Sequence, residues 1–400
     1  MAKQGLKFEK SMVFLIIIFA VIIIASVILV FALQVNPVEQ ILENGEPLKI
    51  LFVLKDDQGV LFTDVLVSYP LLSRGALFSV PGNTGAIYSS IGRVDRIDAI
   101  FMEKGVDVYR SEIEKLLNQE IPFSIVIDVK DFQILTDYLG GLKVFIPHPI
   151  DMTNETGERW LLPSGYVNLD GDKIHTYLYY YSQEESAGAI IDRYQNVMTA
   201  FLGALEKNSA LIFEDKNFKN YGKLFSVNVD MEDLESLLKS IASIDSERLV
   251  FHTISGYTDV IDGKTLLMPR DDGQVARDLF NRTILALTTQ GETMFDRTYV
   301  LEVQNGTSVQ GLARNTAILF RGHGYDVLNY KNADSNDYEK TVIINHIGNE
   351  EVAQALGNLI LCNNIKLEEV LPDSEGSNVA QVDFTVILGE DFDGRYVRGN

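Results

Sequence analysis

From Met12 to Leu33 the chain reads MVFLIIIFAVIIIASVILVFAL, a run with no charge and a single serine. Nothing else in the sequence limits its fate so strongly. At about 1.5 Å per residue a helix of this length reaches roughly 33 Å, enough for a hydrocarbon core of about 30 Å. A cleaved leader would have a shorter apolar stretch followed by an A-x-A-like site, and neither is present. Lys3, Lys7 and Lys10 precede the run against Glu9, while Glu39, Glu43 and Glu46 follow it. The positive-inside rule then puts residues 1–11 in the cytoplasm, 12–33 across the inner membrane, and all later residues in the extracytoplasmic or periplasmic space. No second apolar run has comparable length, so the expectation is a single-pass anchor.

The exported part has to bury a core. The chain has 400 residues, 46% of them hydrophobic and 22% charged, which suits two globular modules. Its net charge of −22 argues against a nucleic-acid partner, which needs a positive face. The single cysteine, Cys362, excludes an intrachain disulfide framework and any multi-cysteine metal site. The histidines (His148, His175, His252, His323, His346) are scattered without HxH or HxxxH spacing, which argues against a zinc hydrolase.

After a polar spacer, 34–47, LKILFVL reads as a strand. VLFTDVLVSYPLLSRGALFSVP gives two more, split at Pro70. DVYRSEIEKLLNQEI has the i, i+3, i+4, i+7 spacing of an amphipathic helix. PFSIVIDV is a buried strand, and KDFQILTDYLGG is a helix stopped by paired glycines before the strand LKVFIP. DRYQNVMTAFLGALEKN, MEDLESLLKSIASI and DDGQVARDLFNRTILAL read as further helices. The alternation predicts an α/β sandwich with a central mixed sheet over 48–289. A linker at 290–297 leads to a small α/β domain over 298–390, with strands at TYVLEVQNGT, YDVLNY, KTVIINH and VDFTVILG. Its helices are SVQGLARNTAILFRGHG, capped by Ser308, and NEEVAQALGNLIL. The polar tail 391–400 is given no role.

The collinear series TDVLVS, SVPGNT, VDRIDAIFMEKG, IPFSIVIDVKDFQILTDYLGGLKVFIP, LLPSGYVNLDGDKIHTYLYYYS and DRYQNVMTAFLGAL resembles the LytR–CpsA–Psr family. ISGYTDVIDGKTLLMPRDDGQVARDLF looks like the close of that domain, and the last module is similar to the LytR C-terminal domain. The resemblance implies an extracytoplasmic phosphotransferase that moves an anionic glycopolymer from a polyprenyl-pyrophosphate carrier to peptidoglycan. It implies a lipid tail held between sheet and helices, arginines on the pyrophosphate and aspartates on Mg2+. Guanidinium forks and a hard cation are what a departing diphosphate needs.

This sequence departs from that pattern. Gly82 stands where the family has an arginine, and Asn83 where it has an aspartate. Tyr179 and Tyr181 take the places of alternating arginines, and Ile190 that of another. Arg193 and Gln195 are retained, Asp64 matches an aspartate near the metal, Arg96 falls at a basic position, and Asp98 replaces the usual asparagine. The candidate ligand- and phosphate-binding residues are therefore Arg74, Arg96, Tyr179, Tyr181, Arg193 and Gln195, with Asp64 and Asn83 for the metal. By strand alternation Tyr179 and Tyr181 would share the face of the missing arginines. Each charge-assisted contact is worth about 1.5–3 kcal/mol, so four lost arginines remove on the order of 6–12 kcal/mol if the contributions add. Three readings stay open. The first is a degenerate member that binds an envelope glycan or polyprenyl-linked ligand without catalysis. The second is an active transferase rearranged around Asp64, Arg96 and Arg193. The third is a structural envelope anchor whose C-terminal module binds.

Overall fold

The strand from Leu48 to Lys55 (β1) is apolar at nearly every position because both of its faces are covered. Leu48, Ile50, Phe52 and Leu54 enter one core, whereas Leu51 and Val53 enter another on the opposite side. A computed structural model describes residues 18–23, 36–153, 157, 159–182, 185–289, 299–323, 325–368 and 382–398. β1 pairs antiparallel with β2 (Val60–Tyr69), which pairs antiparallel with β3 (Arg74–Ser79). Parallel to β1 lies β4 (Phe123–Asp128), flanked by the short β5 (Ser226–Val227). Parallel to β3 lies β6 (Val250–Thr253), giving the order β5-β4-β1-β2-β3-β6.

Helix α1 (Pro37–Glu43) precedes this sheet, capped by the Asn36 side chain on the amides of Val38 and Glu39. Part of the expected polar spacer is thus folded, because Val38 gives α1 an apolar contact and is fully buried in the first core. One face of the sheet carries α2 (Ile97–Lys104), α3 (Val106–Leu117) and, from the far end of the domain, α8 (Gln274–Thr288). The other carries α4 (Val129–Tyr138), α5 (Gly171–Tyr179), α6 (Ala187–Lys207) and α7 (Met231–Ala242). Phe52, Phe62, Phe132, Phe201 and Tyr194 pack ring to ring in this second layer, with centroids 5.1–6.2 Å apart.

The tyrosine run corrects the sequence reading. Tyr177 and Tyr179 belong to α5, started by the Asp170 cap and ended at Tyr180. Helical rotation, not strand alternation, sets their directions, so Tyr179 and Tyr181 share no strand face.

The second module is a five-stranded sheet built from β7 (Val300–Asn305), β8 (Asp326–Asn332), β9 (Val342–Asn345), β10 (Ile365–Leu367) and β11 (Phe384–Leu388), in the order β8-β7-β11-β9-β10. Helices α9 (Leu312–Gly322) and α10 (Glu350–Ile360) close its core. Ser308 is not the cap of α9; Gly311, at φ +84°, holds that place and supplies no side chain. Phe145, from the hairpin 142–146/165–169 of the first module, is buried in this second core. The expected linker 290–297 lies outside the described residues. So does the predicted membrane span, apart from residues 18–23, which are helical and exposed. Among the described residues no helix is long and apolar enough to cross a membrane.

Candidate functional site

Asp64 sits on β2 opposite Ser79 of β3, on the face that meets α6. It is 1% exposed, and its Oδ1 accepts a 2.6 Å hydrogen bond from Ser79 Oγ. Gln195 of α6 donates from Nε2 to Ser79 Oγ at 2.8 Å and to Thr253 Oγ1 of β6 at 3.3 Å. Gln195 Oε1 in turn accepts from Arg395 Nη1 at 2.7 Å. The chain of bonds therefore runs Arg395–Gln195–Ser79–Asp64, from the C-terminal module to a carboxyl group buried in the first.

Burial pushes the Asp64 carboxyl up to about 6, with the Ser79 hydrogen bond opposing the rise. Its Oδ2 is buried and makes no hydrogen bond among the described residues. An orphaned acceptor of this kind suits a proton near neutral pH or a hard cation that takes one carboxylate beside waters and ligand phosphates. Among the described residues no group of three His, Cys, Asp or Glu side chains gathers around a metal position. Asn83 is partly exposed, and its main-chain oxygen is taken by the Leu267 amide at 2.9 Å.

The turn from Ser79 to Thr84 keeps its form through contacts that need no ligand. Val80 N donates to Thr63 O at 2.9 Å, and both the amide and the hydroxyl of Thr84 donate to Pro81 O. A Cβ at Gly82 would stand 2.5 Å from Asp98 Oδ2. Arg96 is bound to that same Asp98, with Nε to Oδ1 at 2.9 Å. The predicted basic position at Arg96 is thus spent on a neighbouring carboxylate, and that carboxylate overhangs the glycine.

Arg193 is 6% exposed, paired with Glu185 at 2.7 Å, and lies against the rings of Tyr180 and Tyr194. Its Nε makes no hydrogen bond among the described residues. Asp192, the preceding residue of α6, pairs with Arg395 at 2.8 Å. Tyr179 is half-buried, its hydroxyl donating to Asp56, and Tyr181 is 69% exposed. Arg74 lies at the far end of β3, where its guanidinium donates to the carbonyls of Ala286 and Thr289 at 3.1 Å, at the end of α8. The structure brings together Asp64 and Gln195 through Ser79, whereas Arg193, two residues earlier on α6, contacts Glu185, Tyr180 and Tyr194 instead. It leaves Arg74 out of this region.

Sequence reasoning missed Asp192, Glu185, Thr253 and above all Arg395, which lies in the tail given no role. Arg395 is 17% exposed, packed over Phe251 and Tyr396. The one local signal was Gly394, whose φ of +99° permits a turn that brings the tail against Phe145 and Pro147.

Residues 63–277 match the LytR_cpsA_psr family, and residues 298–392 match the family described as LytR cell envelope-related transcriptional attenuator. No curated protein matches the chain. Among solved structures, TagV of B. subtilis is 17% identical with a TM-score of 0.52, covering 61% of this chain and 98% of that one. A protein of Streptococcus agalactiae is 14% identical with a TM-score of 0.52, covering 64% and 93%. A transcriptional regulator of Enterococcus faecalis is 16% identical with a TM-score of 0.51, covering 61% and 89%. At such identities the likeness is one of fold.

Proposed function

The chain belongs to the LytR–CpsA–Psr family and carries the LytR C-terminal module, and from that premise we propose a cell-envelope protein, anchored by Met12–Leu33, that binds a polyprenyl-linked or peptidoglycan-associated glycan without the family's phosphotransfer. One observation carries this reading: among the described residues, Arg96, Arg193 and Arg395 each already have a carboxylate. Arg96 is held by Asp98, Arg193 by Glu185 and Arg395 by Asp192. A departing diphosphate would have to displace these carboxylates, and Asp98 overhangs Gly82, where the family places an arginine. Catalysis gains from charge that is pre-organised for the transition state, not from charge that must first be released. Support also comes from the layer between sheet and helices, where the family resemblance implies a lipid tail. Here Phe52, Phe62, Phe132, Phe201 and Tyr194 fill it. Mg2+, when bound, would be held through Asp64, whose Oδ2 has no hydrogen-bond partner among the described residues, and would supply positive charge toward ligand phosphates.

A second reading, active transfer from a rearranged site, is favoured by one fact: Arg395 brings a cation from outside the first module. Full-length protein, a polyprenyl-pyrophosphate glycan and peptidoglycan fragments separate the two. The expected result is saturable binding with no Mg2+-dependent transfer product. Transfer that disappears in Arg193→Ala would replace the first reading with the second.

A further inference from the structure

The cavity between the two modules measures about 1370 Å³, larger than the roughly 300–1,000 Å³ of a small-molecule pocket. Cations reach it from both sides: Lys143, Arg193 and Lys207 from the first module, Arg314 from the C-terminal module and Arg395 and Arg398 from the tail behind it, interleaved with the carboxylates Glu185, Asp192, Glu206, Asp245 and Asp393. We propose that this cleft is a composite site for an extended polyanion, and that Arg395 is a ligand-binding residue delivered to it by the tail that follows the C-terminal module. The ligand's identity as an envelope polymer rests on the reading above; the two-module construction of the site does not.

Three features carry the inference. Arg395 is fixed in direction by the Phe251 and Tyr396 rings, with its guanidinium carbon 5.3 and 5.6 Å from their centroids. Its contacts to Gln195 and Asp192 both run through Nη1, and a guanidinium has five N–H donors, so the fork is not exhausted. Three of the cleft's cations are each paired with a carboxylate that a ligand oxyanion would have to displace: Glu185 on Arg193, Asp192 on Arg395 and Asp393 on Arg398. Each exchange of a carboxylate for a ligand oxygen gains little alone. Several exchanges made by one molecule accumulate, which favours a repeating anion over a single phosphate. Bidentate geometry suits phosphodiesters and carboxylates alike.

The test uses full-length protein in detergent with two probes matched in charge, a glycerol-phosphate oligomer and a uronate oligomer, with affinities measured by calorimetry at fixed salt. Arg395→Gln is expected to weaken binding severalfold, Arg395→Lys to recover part of the loss, and Asp192→Asn to tighten binding severalfold. Preference between the two oligomers assigns phosphate or carboxylate as the recognised group. Wild-type binding that Arg395→Gln and Asp192→Asn leave unchanged, with Arg193→Gln losing it, overturns the inference and spares the underlying reading. Binding of neither oligomer by the wild-type chain overturns both. Should Arg395→Gln fail to fold, the lysine and asparagine variants decide the matter.

Discussion

The turn at Ser79–Thr84 and the cleft at Arg395 lie near the two ends of one hydrogen-bond chain, and they draw their charge from different parts of the chain. At the turn a glycine lies under the Asp98 carboxylate, and the nearby Arg96 is bound to that carboxylate. At the cleft, guanidiniums arrive from a helix of one module and the closing segment of the other. Between them Ser79 and Gln195 hold the same backbone relationship. The difference teaches that strand order and core are fixed by apolar surface buried on both sides of the sheet, whereas charges on the rim can move at little cost to the core.

The largest effect concerns the part that should be immovable. Phe201 is 1% exposed and touches the rings of Phe52 and Phe132. Phe201→Ala should cost about 3–5 kcal/mol in urea unfolding. A loss under about 1 kcal/mol would mean that the layer is loose and that rim and core are not separable.

Next in size is a pH effect at the turn end. Asp64 keeps its proton to about 6 in the folded state against an ordinary 3.8, since burial disfavours its charge. The unfolded chain therefore gives up this proton first. Stability from this group is full below about pH 4, falls as pH rises toward about 6, and stays low above that. Burial moves Asp192 the same way, against the pull of Arg395. Asp64→Asn should flatten the profile and raise stability at pH 8 by up to about 3 kcal/mol. An unchanged profile from chemical denaturation at pH 4, 6 and 8 would show that Asp64 is not the group responsible.

A third experiment tries to make the turn resemble the cleft. Gly82→Arg alone should gain no affinity for inorganic pyrophosphate, because Asp98 intercepts the new guanidinium. Gly82→Arg with Asp98→Asn should gain about 1.5–3 kcal/mol, roughly ten- to a hundredfold. Equal affinities for the single and double variants would remove Asp98 from the account. Smallest is Arg74→Ala, expected to lose about 1 kcal/mol of stability through the end of α8 and to leave glycan binding as in the parent chain. A loss of binding would return Arg74 to the site.

Much of this fold could be read from the chain because its strands are short apolar runs and its helices carry clear stripes. Leu48–Lys55, Val106–Leu117 and Met231–Ala242 all form the element their periodicity predicts. Tyr177–Tyr181 misled because tyrosine favours strands, and only the preceding Asp170 cap marks a helix. The site was legible where one element supplies it, as with Arg193 and Gln195 on α6. It was illegible where tertiary packing supplies it, since no local pattern links Gln195 to a residue 200 positions away.

Phe145 belongs to the first module by sequence and to the second by packing. A gene cut at the module boundary would therefore not yield two clean pieces. The upstream fragment would carry a bare aromatic scar, and the downstream one a socket of matching shape. Each would expose an apolar surface that the intact chain covers, and a missing neighbour would pass for a missing activity.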